Sequence, residues 1–267
     1  MHAFQYHRPG SVKDAIGLGA QKSDGKYLAG GQSLVQAMKL RLASPTDLID
    51  LNALGDLKTL KAEGGSVTIG AMVRHAEVAS SSAVQKAIPA LASLAGMIGD
   101  RQVRHMGTIG GSLANNDPAA DYPAAVLGLG ATVVTNKRRI EADKFFKGLY
   151  ETALEPGELI TSVVFPAPKR AAYQKFKNPA SRFAIVGVFV ADFGNTVRVA
   201  VTGAGPSVFR QTDMEKALAA KFAPEAVASI KVKADGLNKD LHASPEYRAH
   251  LVTVMAKRAV EAALTRT

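Results

Sequence analysis

At 267 residues, 47% of them apolar, the chain is long enough for one large domain or two ordinary ones. It carries 33 Lys and Arg against 23 Asp and Glu, a formal net charge of +10, and no cysteine. The missing cysteine excludes disulfides, a thiolate nucleophile, Cys-ligated zinc and Cys-ligated iron–sulfur clusters, so any redox role requires a bound organic cofactor.

No run of about 18 apolar residues is present, so the chain is not expected to be transmembrane. Residues 1–9 lack an apolar core of the signal-peptide kind, and a cytoplasmic location follows. The six histidines, at 2, 7, 75, 105, 242 and 250, never fall four apart on one helical face, so no metal site is expected. The basic charge is scattered. Its longest run, Lys137-Arg138-Arg139, falls at an expected hairpin turn and has no aromatic interleaving. No nucleic-acid motif accompanies it, and docking to acidic partner subunits accounts for the charge equally well.

In chain order, Ser11 caps a predicted helix over 12–22, with Asp14 at the third position answering the cap. Residues 26–29 form a short strand, 34–42 have helical apolar spacing, and 47–51 alternate as a strand. Residues 57–60 and 66–70 read as a hairpin around Glu63-Gly64-Gly65. Residues 74–80 and 83–98 read as helices, 123–129 as a short buried helix opened by proline, and 131–134 with 139–142 as another hairpin. A strand over 159–165 ends at Pro166 and Pro168, which mark a boundary. Beyond it, 172–176, 185–193 and 197–201 read as antiparallel strands. A helix over 213–221 capped by Thr212, a possible helix over 223–230, and a last helix opened by Ser244-Pro245 follow. The expected division is a domain over 1–166, with subdomains of about 1–54 and 55–166, and a C-terminal domain over 167–267.

Two glycine-rich segments follow apolar runs: Ala29-Gly30-Gly31-Gln32-Ser33-Leu34, and Gly107-Thr108-Ile109-Gly110-Gly111-Ser112 continuing through Asn115 to Asp121. Either alone reads as a plain tight turn or as a ligand loop. Glycine permits positive φ and a close backbone approach, exposed N–H groups suit phosphate, and hydroxyls, amides and carboxylates crowd the second segment. Neither is a P-loop or a G-x-G-x-x-G fingerprint. Together they suggest two loops gripping one extended phosphate-containing ligand.

Both segments closely resemble the two FAD-binding motifs of the medium subunit of molybdenum hydroxylases, the family of carbon monoxide dehydrogenase and xanthine dehydrogenase. The resemblance extends over Pro156–Ile160, Tyr173–Phe176 and the Asp240–Leu251 segment, so it covers essentially the whole chain. It implies an α+β fold: a PCMH-type FAD-binding domain of two α/β subdomains, then a C-terminal domain of antiparallel sheet and helices. Residues 29–34 and 107–112 would cradle the pyrophosphate through backbone N–H groups, and Asp121 would bind a ribose or ribityl hydroxyl. Asn115 belongs to the same motif. Ile160 and Lys175 match positions near the adenine or flavin, and Phe183 sits where the family often places an aromatic beside the isoalloxazine. The chain would have no catalytic residue of its own. It would take electrons from a small 2Fe–2S subunit, which receives them from a large subunit holding a molybdenum–pterin, and pass them to an external acceptor, in a dimer of heterotrimers. The alternatives are a relative acting on an aromatic heterocycle, purine or aldehyde, a stand-alone flavin oxidase, or a non-enzymatic nucleotide-binding protein. His105 stands where the family usually has Asn, and Gln32 replaces a more frequent His or Thr.

Overall fold

A computed structural model describes residues 1–265. The first unit holds β1 (Gln5–His7), α1 (Val12–Gln21), β2 (Gly25–Leu28), α2 (Leu34–Lys39) and β3 (Asp47–Asp50). Its sheet is wholly parallel in the order β1-β3-β2. Helix α1 starts where its cap requires: Ser11 Oγ accepts from the Asp14 N–H at 3.1 Å and donates to the Asp14 carboxylate at 2.7 Å. Central β3 is buried along all four residues. Its two aspartates are therefore paired, Asp47 with His7 at 2.6 Å and Asp50 with the Tyr6 hydroxyl.

The second unit contains β4 (Leu60–Glu63), β5 (Ser66–Gly70), α3 (His75–Ser80), α4 (Ser82–Ala87), α5 (Pro89–Gly96), α6 (Arg101–Met106), α7 (Ile109–Asn115) and α8 (Tyr122–Gly128). It continues with β6 (Thr132–Thr135), β7 (Arg139–Glu141), α9 (Ala142–Phe145), the small hairpin β8 (Phe146–Gly148) and β9 (Glu151–Thr152), and β10 (Ile160–Pro166). Its main sheet runs β4-β5-β10-β6-β7 with antiparallel pairing throughout. After Pro166 come β11 (Arg170–Lys177), β12 (Ala184–Asp192), β13 (Val197–Thr202) and β14 (Phe209–Arg210), an antiparallel sheet in chain order, with α10 (Thr212–Ala220), α11 (Pro224–Ala228) and α12 (Pro245–Thr265).

Both faces of this last sheet are covered. Along β12 the side chains alternate, as a pleated strand requires. Phe189 and Ala191 join the core shared with the buried helix α8, while Val186, Val188 and Val190 join the core under α12. All nine residues of β12 are buried. The core containing α8 runs without a break from Val67 on the five-stranded sheet to Tyr173 and Ala200 on the last one.

Several sequence expectations shift. The stretch 83–98 is two helices, because Pro89 has no N–H to continue α4 and instead opens α5. Residues 55–58 form a 3₁₀ turn, so the hairpin begins at Leu60 rather than Leu57. Helix α2 stops at Lys39, and Arg41 follows with φ +59°. Thr212 is the first residue of α10 rather than its cap; Gln211 holds the N-cap position without a side-chain capping bond. The stretch before Gly107 is the helix α6, capped by Asp100. The largest change lies in the second glycine segment, which is mostly the helix α7 rather than a loop.

Lys137 and Arg138 lie at the expected hairpin and face acids: Lys137 binds Glu155 at 2.8 Å and Arg138 binds buried Glu158 at 3.0 Å. Burial pushes the Glu158 carboxyl up, but hydrogen bonds from Arg138, the Glu155 N–H and Thr135 overcome it and hold the pKa at about 2, against an ordinary 4.5. A lowered native pKa contributes stability that is present above the ordinary value and is lost as pH falls towards 2. We expect the melting temperature of the Glu158→Gln variant to fall less steeply than that of the parent between pH 4.5 and 2. Parallel curves down to pH 2 would exclude this account.

Candidate functional site

The two glycine segments touch. Gly30 lies directly on the backbone of Met106 and Gly107, and a Cβ there would overlap the Met106 carbonyl. Ala29 packs beside Gly111, and the Ala29 carbonyl accepts from Asn52 Nδ2 at 3.1 Å. Gly31 has φ +72°, which turns the chain from β2 into α2.

The two sides of this contact differ in their hydrogen bonding. On the first side, the N–H groups of Gly30, Gly31, Gln32, Ser33 and Leu34 donate to no acceptor among the described residues, and the side chains of Gln32 and Ser33 are exposed and have no partner there. On the second side, Ile109 donates to the Val73 carbonyl at 3.1 Å, Gly110 to that of Ala71 at 2.9 Å, Gly111 to Thr108 Oγ1 at 3.1 Å and Ser112 to the Thr108 carbonyl at 3.0 Å. Gly107 donates to Val103. This revises the expectation that the 107–112 backbone offers a comb of N–H donors: within it only the Thr108 amide is uncommitted. None of Gly107, Gly110 and Gly111 has positive φ. They are glycines because of proximity; a Cβ on Gly110 would stand 2.6 Å from the Ala71 Cβ, and one on Gly107 would run into His75. What the second side presents is the Ser112 hydroxyl on the first turn of α7 and the Asn115 amide at its last residue, both partly exposed and without a partner among the described residues.

The motif's far end is bolted to the C-terminal sheet. The Tyr173 hydroxyl donates to Asp121 Oδ1 at 2.6 Å. Lys175 Nζ reaches both Asp121 oxygens, at 2.9 and 3.0 Å, and also the carbonyls of Met97 at 3.0 Å and Arg182 at 2.8 Å. Both charged side chains are 2% exposed. Burial pushes the Asp121 carboxyl above the ordinary carboxylate range, and the Lys175 ammonium and Tyr173 hydroxyl pull it back. Upstream, Thr202 Oγ1 donates to the carbonyls of Pro118 and Ala120, and the N–H groups of Gly203 and Ala184 donate to those of Pro118 and Ala119.

The predicted residues thus fall into distinct places. Residues 29–34 and 107–112 come together, and Asp121 joins Lys175. Ile160 is buried at the start of β10. Phe183 is 47% exposed at the end of a loop closed by the Asn178 N–H on its own carbonyl. His105 lines a separate cleft of about 360 Å³ with Lys58, Arg74 and Glu77, and its carbonyl accepts from Arg74. Three residues outside the predicted set matter: Tyr173, Thr202 and His75. The Tyr173 signal was present, since it shares a strand face with Lys175 two residues on. His75 lies under Gly107 and beside the Tyr122 ring at 5.3 Å, where burial and Arg104 depress its pKa to about 4, so it is neutral at pH 7.

The family described as "FAD binding domain in molybdopterin dehydrogenase" matches residues 2–168, and that described as "CO dehydrogenase flavoprotein C-terminal domain" matches 171–263. The chain belongs to the medium subunits of the carbon monoxide dehydrogenase and xanthine dehydrogenase family. It is 38% identical to the carbon monoxide dehydrogenase medium chain of Hydrogenophaga pseudoflava, over 98% of each chain. It is also 38% identical to the nicotine 6-hydroxylase medium subunit of Paenarthrobacter nicotinovorans, over 99% of each. A chain of the reconstituted CO dehydrogenase from Oligotropha carboxidovorans superposes with a TM-score of 0.91 at 33% identity, over 100% of this chain and 99% of that one. This medium subunit is an oxidoreductase subunit whose cofactor is FAD, and no helix among its described residues is long and apolar enough to cross a membrane.

The free amides and the close backbone approach fit a pyrophosphate. Gly30→Ala should hold the two segments apart and weaken FAD affinity tenfold or more, about 1.4 kcal/mol, measured by quenching of FAD fluorescence on the apoprotein; unchanged affinity would remove Gly30 from the site. Lys175→Met should destabilise the chain by about 3–5 kcal/mol, because Asp121 is left buried without its partner. Adding Asp121→Asn should recover part of that loss in chemical denaturation.

Proposed function

We propose that the chain is the FAD-binding electron-transfer subunit of a carbon monoxide dehydrogenase-like molybdenum hydroxylase. Ala29, Gly30, Gly31, Gln32, Ser33 and Leu34 hold the pyrophosphate, with the amides of 30–34 as donors. Thr108, Ser112 and Asn115 close the other side, where Gly107, Ile109, Gly110 and Gly111 act by letting the backbones meet. Asp121, Lys175, Ile160 and Phe183 bound the rest of the cofactor. The observation that carries this reading is the run of five uncommitted amides pressed against a second segment whose own amides are spent.

Bound FAD supplies redox chemistry that accepts electrons singly or in pairs. This chain's residues contribute binding and orientation. The titratable groups closest to the motif are each engaged or buried: Asp121 is tied to Lys175 and Tyr173, His75 is buried, and the partly exposed Asp117 accepts the Ala119 N–H at 2.8 Å and the Tyr150 hydroxyl at 3.4 Å. This argues against a stand-alone oxidase. In our reading the chain works in the cytoplasm, receives electrons from a small 2Fe–2S subunit and delivers them to an external acceptor. The substrate is oxidised at the molybdenum–pterin of a large subunit, and the assembly is a dimer of heterotrimers. Residues 1–166 form the FAD-binding domain and 167–267 the C-terminal domain.

A heterocycle hydroxylase subunit is the second reading, because relatives named for carbon monoxide and for nicotine are equally identical to this chain. The test is to purify the chain with and without its partner subunits. We expect an oxidised-flavin spectrum, release of FAD, and bleaching of the flavin by carbon monoxide or a heterocycle only when both partners are present. Bleaching by substrate in the chain alone would refute the electron-transfer role, and the substrate that bleaches the complete assembly decides between the two readings.

A further inference from the structure

The segment Asp240–Leu251 stands out in the sequence, yet it contributes nothing to the site so far described. Its centre is Arg248, near the start of α12, with a side chain only 4% exposed. Nη1 donates to the Ile185 carbonyl at 2.6 Å and to the Gly203 carbonyl at 3.0 Å, and Nη2 donates to Asp240 Oδ2 at 2.6 Å. Asp240 is itself fixed, because its Oδ1 accepts the N–H groups of His242 at 2.9 Å and Ala243 at 3.0 Å. Arg248 thus ties the first turn of α12 to the facing ends of β12 and β13.

Those strand ends are the ones that hold the second FAD segment. Gly203 donates to the Pro118 carbonyl at 2.8 Å, Thr202 to Ala120 at 2.7 Å and Ala184 to Ala119 at 3.3 Å. Asp121 follows immediately, and Phe183 immediately precedes Ala184. Two carbonyls converging in a buried place require a donor between them. A guanidinium fork satisfies both while its other nitrogen reaches a carboxylate, which a lysine ammonium on a flexible stem does less well.

We propose that Arg248, oriented by Asp240, is a positioning residue of the flavin site. It ties the ends of β12 and β13 together just beyond their last ladder pair, Gly187 with Thr202, and thereby fixes the placement of Pro118–Asp121 and Phe183 against the cofactor. This rests on the FAD site proposed above, and it adds control of that site by a helix outside it.

The test uses the full chain, as apoprotein and loaded with FAD, in Arg248→Met, Arg248→Lys and Asp240→Asn forms. The readouts are the FAD dissociation constant, the visible circular dichroism of the bound flavin, the flavin reduction potential, and the melting temperature of the apoprotein. We expect Arg248→Met to weaken FAD about tenfold or more, and to change the flavin dichroism and potential in the folded fraction. Arg248→Lys should restore part of both, and Asp240→Asn should move both less, in the same direction. If Arg248→Met does not fold, the lysine and asparagine variants carry the same comparison. Variants that lose only melting temperature, with parental FAD affinity, dichroism and potential, would overturn the proposal and leave Arg248 a stability residue. A parent chain that binds no FAD would instead overturn the site itself, and this inference with it.

Discussion

The structure depends on a contact between two main chains with no side chain between them. Gly30 rests on Met106 and Gly107, and Gly110 rests on Ala71. Glycine is ordinarily explained by its access to positive φ, but along the second segment that explanation fails, since its glycines have ordinary dihedrals. The constraint there is distance. A Cβ on Gly30 would push the first unit off the backbone of Met106 and Gly107, and a Cβ on Gly107 or Gly110 would push the second segment off His75 or Ala71 within the second unit. The hydrogen bonds follow from this closeness: Gly110 approaches Ala71 closely enough to donate to its carbonyl, and the approach fixes where α7 begins.

The site therefore has one wall already satisfied and one still open. The second wall spends its amides on Val73, Ala71 and Thr108, and its far end on Thr202, Gly203 and Ala184. A wall with its polar groups internally bonded loses little on binding a ligand and holds its shape without one. The first wall keeps five amides without an acceptor among the described residues.

How far the sequence revealed this depends on the range of each interaction. Caps such as Ser11 with Asp14, the proline-opened helices and the alternating β12 core are local, and their signals lie within a few residues. That the two glycine segments belong together could be read from their composition and their resemblance to a family, and the structure brings them into contact. What each glycine does could not, because the atom that forbids a Cβ belongs to a residue far away: Met106 for Gly30 and Ala71 for Gly110. The reading of 107–112 as a loop went wrong for the same reason. Thr108 is a good N-cap in sequence, but three glycines nearby outweighed it until tertiary contacts were seen to fix the helix.

The Asp121–Lys175 pair carries the argument across the chain. Its partners come from the C-cap of α5 through Met97, from β11 through Tyr173, and from the loop before β12 through Arg182. A lysine with all its protons placed on fixed acceptors is a poor proton shuttle and a good fixed charge. The pair therefore acts as a structural tie between the second segment, β11 and the loop before β12. The basic excess behaves alike where it can be followed: Arg138, Arg170, Arg198, Arg210 and Arg248 all end on buried or partly buried acids or on main-chain carbonyls. Part of the positive charge that composition alone would assign to an external polyanion is thus committed to holding this chain's own elements together, while exposed side chains of both kinds, Arg41, Arg101, Arg139 and Arg258 among the arginines, remain on the surface.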